Sequence, residues 1–271
     1  MPFNPLGSDL AWAWDIIALV ISFVAVMIVV LINGALQKKN VLPTVVTRKL
    51  VHIFVGPVFL VTWLLFSGDW YARFFAAVVP LMFVLLFYAI GSGRMKNEAF
   101  VASMSRSGAA SELLKGTFYY ALIILIVTLL WFYIPTNGIS NANPTALIVI
   151  GCLAGGDGFA DIIGRRFGKH KYSFSGTEKS VEGSIGMLFG SVLFSLILVA
   201  IFSLAVSNWN LASFILPLLI VAIVATIVEA ISPKNMDNWT IMIAVVAVLI
   251  LMHAAAPAFW QFPLFGGFDV V

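Results

Sequence analysis

Asp157, Asp161 and Arg165 stand four residues apart in the stretch GGDGFADIIGRRFGKHKYSFSGTEKSVEGS, which runs from Gly155 to Ser184. On a helix that spacing forms a single ridge. Two carboxylates one turn apart make a hard-oxygen site suited to Mg²⁺, which keeps several waters and shares its remaining positions with substrate phosphates. Gly155, Gly156 and Gly158 bare the backbone around the first carboxylate, allowing close approach by a ligand or a neighbouring helix. Arg165, Arg166, Lys169, Lys171 and Lys179 follow, and five cations in one loop suit a polyanion. The stretch ends with Lys179 and Glu182 three residues apart.

Two further groups carry charge beside long apolar runs. Glu229 precedes Ser232-Pro233-Lys234 and then Asp237-Asn238-Trp239-Thr240, while Arg48-Lys49-Leu50-Val51-His52 places His52 one turn after Arg48. The segment from Gly91 to Lys115 adds Arg106, Glu112 and Lys115, and is long enough to fold over a site. Each feature alone has an ordinary explanation: an Asp–Arg ion pair, glycines used for packing, Glu229 paired with Lys234, Asp237 capping a helix, a hydrogen-bonded histidine. Their concentration on one side of the molecule is what points to chemistry. The Asn238-Trp239-Thr240 match to a glycosylation acceptor falls on that same side and reads as accidental.

The elements that must hold these groups are apolar helices. Hydrophobic residues make up 62% of the 271 and charged residues only 10%, against roughly 25% charged in a soluble domain. About 20 apolar residues cross a bilayer as helix. The pattern predicts an all-α, polytopic helical bundle of about eight transmembrane spans, near 16–35, 50–67, 72–91, 117–134, 145–163, 183–206, 211–231 and 239–256. Ile134 to Pro144 and Ser207 to Asn210 supply the turns that divide the two longest runs. Residues 1–271 form one transmembrane domain in this reading, with connecting loops near 36–49, 92–116, 164–182 and 232–238.

Of the 15 Lys and Arg residues, all except Arg73 fall in those four loops. By the positive-inside rule the loops are expected to be cytoplasmic and both termini outside, in a prokaryotic cell membrane. Met1 to Asp15 hold no Lys or Arg, which predicts neither a signal nor a transit peptide and a retained first span. The single Cys152 excludes an intramolecular disulfide framework. The basic balance reports topology, so nucleic acid is not expected as a partner, and no oligomeric state follows. There is no GxxxxGK[ST] loop, no GxGxxG after a strand, no HExxH and no CxxC, so any nucleotide chemistry must use a membrane-embedded site.

RKLVH at Arg48–His52, GGDGFADIIGRRFGK at Gly155–Lys169, KSVEGS at Lys179–Ser184 and EAISPKNMDNWT at Glu229–Thr240 together resemble the polyprenol kinase family, which includes phytol, farnesol and dolichol kinases. Residues 1–47 add little to the likeness, and Trp239 stands where Leu is common after Asp-Asn. The resemblance implies a membrane enzyme that transfers the terminal phosphate of a nucleoside triphosphate, usually CTP, to a lipid alcohol; the short chain favours a prenol of modest length. Within it, Asp157 and Asp161 are expected to hold Mg²⁺, with Glu229 or Asp237 as further ligands. Arg48, Lys49, Arg165, Arg166, Lys169 and Lys179 are expected on the nucleotide phosphates, and Glu182 or His52 as acceptor of the alcohol proton.

Phosphatidate cytidylyltransferase is the nearest competitor, sharing the Asp-bearing glycine helix and the basic turn. The chain lacks that family's Ser-Pro-Lys-Lys-Thr-Trp-Glu run, having Gly176-Thr177-Glu178-Lys179-Ser180-Val181-Glu182 instead. A CTP-dependent diacylglycerol kinase is a further alternative. An ion-coupled transporter fits poorly, because the polar groups gather on one face and no two-fold repeat is visible.

Overall fold

A computed structural model of the chain describes residues 4–105, 108–132, 143–233 and 235–262. Arg106, Lys234 and most of the Ile134–Pro144 turn lie outside the described residues. The helices are α1 (Ala11–Lys38), α2 (Thr44–Thr62), α3 (Ala72–Gly91), the short α4 (Glu98–Met104), α5 (Gly116–Trp131), α6 (Thr145–Ile150), α7 (Asp157–Phe167), α8 (Val181–Phe202), α9 (Ala212–Ile231) and α10 (Asp237–Ala255). Strands β1 (Lys171–Tyr172) and β2 (Lys179–Ser180) pair antiparallel, Lys171 opposite Ser180. Among the described residues, eight helical segments are long and apolar enough to cross a membrane. The expected all-α class and span count are therefore found.

Hydrophobicity alone places span centres well and ends poorly. The first helix runs from Ala11 to Lys38 where 16–35 was expected, because helix geometry continues past the apolar run through Gln37 and Lys38. Likewise the fifth span does not stop at residue 163: α7 reaches Phe167, so Arg165 and Arg166 sit on helix. The segment expected as a loop over 92–116 contains α4 and a 3-10 turn, Ala110–Leu114, whose Leu113 is buried with Ile90, Val101 and Met104. Asparagines mark two helix ends, Asn40 and Asn208 both taking positive φ, a conformation their short polar side chains tolerate.

α6 and α7 form the centre. Every residue from Asn143 to Gly158 is buried, and the segment packs against α2, α5, α8, α9 and α10. Between α6 and α7 the backbone widens into a π-helical turn, Gly151–Gly156, a device that recurs next to functional residues. Glycines make this packing possible. A side chain at Gly155 would strike the Gly190 carbonyl and Phe194, and one at Gly151 would strike Ser195, both on α8. Lower down, Gly164 faces Gly183. Two helices in backbone contact along their length gain from dispersion between close surfaces, the main source of helix association in hydrocarbon.

The outward faces reverse the usual pattern of a soluble protein. On α1 the buried positions include Ala18, Ser22 and Val26, while Ile17, Val20, Val24, Ile28 and Leu31 are exposed. So large an apolar surface calls for hydrocarbon or another apolar partner around it. The four basic connections lie at one end of the bundle. We predict that single cysteines replacing Lys171 and Asn208, both exposed, react with an impermeant thiol reagent from opposite faces of sealed vesicles. The native Cys152 is buried and should stay silent. Labelling of both sites from one face would refute the arrangement.

Candidate active site

A cavity of about 490 Å³ opens at the basic-loop end of the bundle. Its mouth is lined by Arg48, Lys49, His52, Asp157, Asp161, Arg165, Lys179, Glu229 and Asp237. Its depth runs between α1, α2, α3 and α5, lined by Val26, Val55, Phe59, Val79, Phe83 and Ile124. From His52 to Phe59 along α2 the apolar part reaches inward by about 10 Å at 1.5 Å per residue. One continuous space thus joins a charged mouth to a greasy slot.

Asp157 opens α7 directly after the π turn and is buried. Lys49, from α2, donates to its Oδ2 at 2.8 Å, the two side chains being only 10% and 12% exposed. His52, one turn along α2 on the other side of Leu50 and Val51, brings Nε2 within 3.1 Å of the same oxygen and 3.1 Å of the Leu153 carbonyl. Both neighbours of that nitrogen are acceptors. Nε2 therefore carries the proton, and in the neutral ring Nδ1 is left as the acceptor. The ring lies on Tyr120 of α5, centroids 4.0 Å apart. A side chain at Gly158 would collide with Ile53, so the glycine lets α2 come close enough for these contacts.

The other charges are held in pairs of their own. Arg165 donates to Asp161 Oδ1 at 2.7 Å, one turn away. Lys179 on β2 reaches across to α9 and donates to the Glu229 carboxylate at 2.5 Å and to the Glu229 backbone carbonyl. A cation at that point satisfies the last turn of a helix and opposes its dipole. Ser175 ties the same loop to the Ser232 carbonyl at 2.7 Å. Arg48 pairs with Glu112 at 3.5 Å, and Ser105 also donates to Glu112, at 2.7 Å.

Three expected site residues do not line the cavity. Arg166 lies over the Phe167 ring. Glu182 accepts from the backbone N–H of Lys169 at 3.1 Å and of His170 at 3.3 Å, and meets His170 Nδ1 at 2.7 Å. Its carboxylate shapes the loop, with Lys169 contributing its backbone. Tyr120 and Glu112, which do line the cavity, were missed as site residues. No motif marks Tyr120; Glu112 was noticed only as a charge in a long loop.

The donor set suits Mg²⁺. Asp157, Asp161 and Asp237 line one cavity, although among the described residues no three His, Cys, Asp or Glu side chains converge into a ready-made metal group. Mg²⁺ rarely needs one, since it takes one or two carboxylates and fills its octahedron with water and phosphate oxygens.

Comparison with known proteins bears on the family. The chain is 36% identical over 221 residues to a probable chloroplastic phytol kinase of Triticum aestivum, covering 80% of this chain and 71% of that protein. It is 34% identical over 251 residues to the chloroplastic phytol kinase 1 of Arabidopsis thaliana, covering 92% and 76%. A chloroplastic farnesol kinase of Arabidopsis thaliana is 36% identical over 210 residues, covering 77% and 66%. No protein-family model matches the chain, and no solved structure does. The expectation of a prokaryotic cell membrane is overturned by these names, which call the plant relatives chloroplastic. Charge asymmetry orients helices and carries no signature of the organelle.

The Lys49–Asp157 pair yields a stability prediction. Lys49→Met leaves a buried carboxylate with His52 as its one remaining partner of those described above, and should destabilise the detergent-solubilised protein by about 3–5 kcal/mol. Removing both charges in Lys49→Met/Asp157→Asn should recover much of that loss. Thermal unfolding of the three proteins measures it; a double variant no more stable than Lys49→Met would show that the two charges are not coupled.

Proposed function

This chain belongs to the polyprenol kinase family, and on that premise we propose that it is a membrane-embedded lipid-alcohol kinase. It transfers the terminal phosphate of CTP, or of another nucleoside triphosphate, to a prenol such as phytol, farnesol or geranylgeraniol. The observation that carries this reading is the double nature of the cavity, whose apolar slot ends at His52 and Asp157 and whose mouth is lined with cations and carboxylates. The isoprenoid tail lies in the slot. Its hydroxyl then comes to the border, where the polar groups begin.

Phosphoryl transfer asks the protein chiefly to align an alcohol with a phosphate and to answer the charge that moves toward the leaving diphosphate. Lys49, Arg165 and Lys179 line the mouth and are held in place by Asp157, Asp161 and Glu229. An incoming triphosphate offers these cations a stronger acceptor than their present carboxylates. The carboxylates so released, Asp157 and Asp161 with Asp237, would hold Mg²⁺. When bound, that ion neutralises phosphate charge and fixes the geometry of the transferred group.

His52 is the proton acceptor for the alcohol. Its Nε2–H is committed to Asp157 and the Leu153 carbonyl, its ring is braced by Tyr120, and Nδ1 is left to receive a proton. Glu182, the other candidate from sequence, is already occupied by two backbone donors and His170. His52→Gln should lower kcat by about 10²–10⁴-fold with a smaller change in KM for CTP. A variant with near-normal kcat would exclude the role.

The decisive experiment follows the label. Purified protein given a prenol and γ-labelled CTP should yield labelled lipid monophosphate and CDP, whereas phosphatidate with α-labelled CTP should yield no CDP-lipid. A panel containing phytol, farnesol, geranylgeraniol and diacylglycerol ranks the acceptors. Labelled CDP-lipid with no phosphorylated alcohol would establish the cytidylyltransferase instead.

A further inference from the structure

Asn238 holds a polar atom that the described residues leave unmet. It sits in the first turn of α10, is 4% exposed and lines the cavity. Its Nδ2 donates to the Gly116 carbonyl at the start of α5, at 3.2 Å. Its Oδ1 is buried and has no hydrogen-bond partner among the described residues. The orientation is forced, because turning the amide over would set its oxygen against the Gly116 oxygen. The group left over is thus a fixed acceptor. Buried acceptors are nearly always met, so one at the wall of a binding cavity calls for a ligand.

The surroundings restrict what that ligand is. Asp237 adjoins Asn238, and its charge interacts with those of Asp157, Lys49 and Lys179. This is the part of the mouth where phosphates and carboxylates gather in the preceding reading. Phosphate oxygens accept only, so they cannot satisfy an amide oxygen. A hard divalent cation can, and so can a water bound to one. Asp157, Asp161 and Asp237 do not by themselves complete a metal group, and an amide oxygen is a suitable supplement to a shell built from carboxylate, water and phosphate.

We propose that Asn238 Oδ1 is a ligand of the divalent cation at the cavity mouth, bound directly or through one of its waters. The Nδ2–Gly116 bond fastens the start of α10 to the start of α5. This inference rests on the cation reading given above and goes one residue beyond it.

Mn²⁺ serves as the probe, its free signal followed by electron paramagnetic resonance in titrations of the full chain in detergent. Wild type, Asp157→Asn, Asn238→Ala and Asn238→Asp are compared, with thermal unfolding measured on each. Asn238→Ala should weaken Mn²⁺ binding by about tenfold or more. Asn238→Asp, nearly the same shape and still offering an oxygen, should bind Mn²⁺ at least as tightly as wild type although it too has lost the Gly116 bond. Should Asn238→Ala fail to fold, the comparison of Asn238→Asp with wild type decides. Wild-type affinity in Asn238→Ala, or equally weakened binding in both variants, would overturn the proposal and leave Asn238 a structural tie. Mn²⁺ binding that is absent from wild type, or unchanged by Asp157→Asn, would instead sink the cation reading on which it rests.

Discussion

A carboxylate shut away inside apolar helices must be answered by cations, and Asp157 imposes that demand on everything around it. An uncompensated charge in such a setting is costly. Lys49 supplies the cation and His52 a further N–H, both from α2, which pins α2 to the start of α7 and puts Arg48 beside Glu112. The site is therefore assembled before any ligand arrives. What holds it together are the same charges that a triphosphate would engage.

Close backbone contact makes that arrangement possible. α6 and α7 meet α8 through Gly151, Gly155 and Gly164 on one side and Gly183 and Gly190 on the other, with little side-chain volume between them. The loop joining α7 to α8 carries the β1–β2 pair. It is held by Glu182 from the first turn of α8 and fastened to α9 by Lys179 on Glu229 and by Ser175 on Ser232. Charged groups that look alike in a list thus divide into two kinds. Arg165 and Lys179 line the cavity, whereas Arg166 lies over Phe167 and Glu182 holds the loop backbone.

The cavity unites parts with opposite tastes for water. Its slot is walled by α1, α2, α3 and α5 with valine, phenylalanine and isoleucine, while its mouth draws on α7, α9, α10 and the basic loop. A molecule with a long apolar tail and a single hydroxyl satisfies both regions at once. A small polar solute would leave the slot unfilled.

Much of this was legible in the chain itself. Eight spans, the all-α class and the one-sided placement of Lys and Arg follow from hydropathy and charge, because the cost of placing polar groups in hydrocarbon is large and local. The ridge of Asp157, Asp161 and Arg165 also follows, since regular helix geometry links residues four apart. Partners distant in sequence were beyond such rules. Nothing in the spacing says that Lys49 lies against Asp157, 108 residues away, that Tyr120 supports His52, or that Lys179 closes on Glu229. Nor does it say that six residues before Asp157 widen into a π turn, which changes the direction in which the carboxylate points relative to α6. Local energetics determined which segments are helices and roughly where the charges stand; tertiary packing, through glycine contacts and buried ion pairs between distant segments, decided which of those charges face a common space.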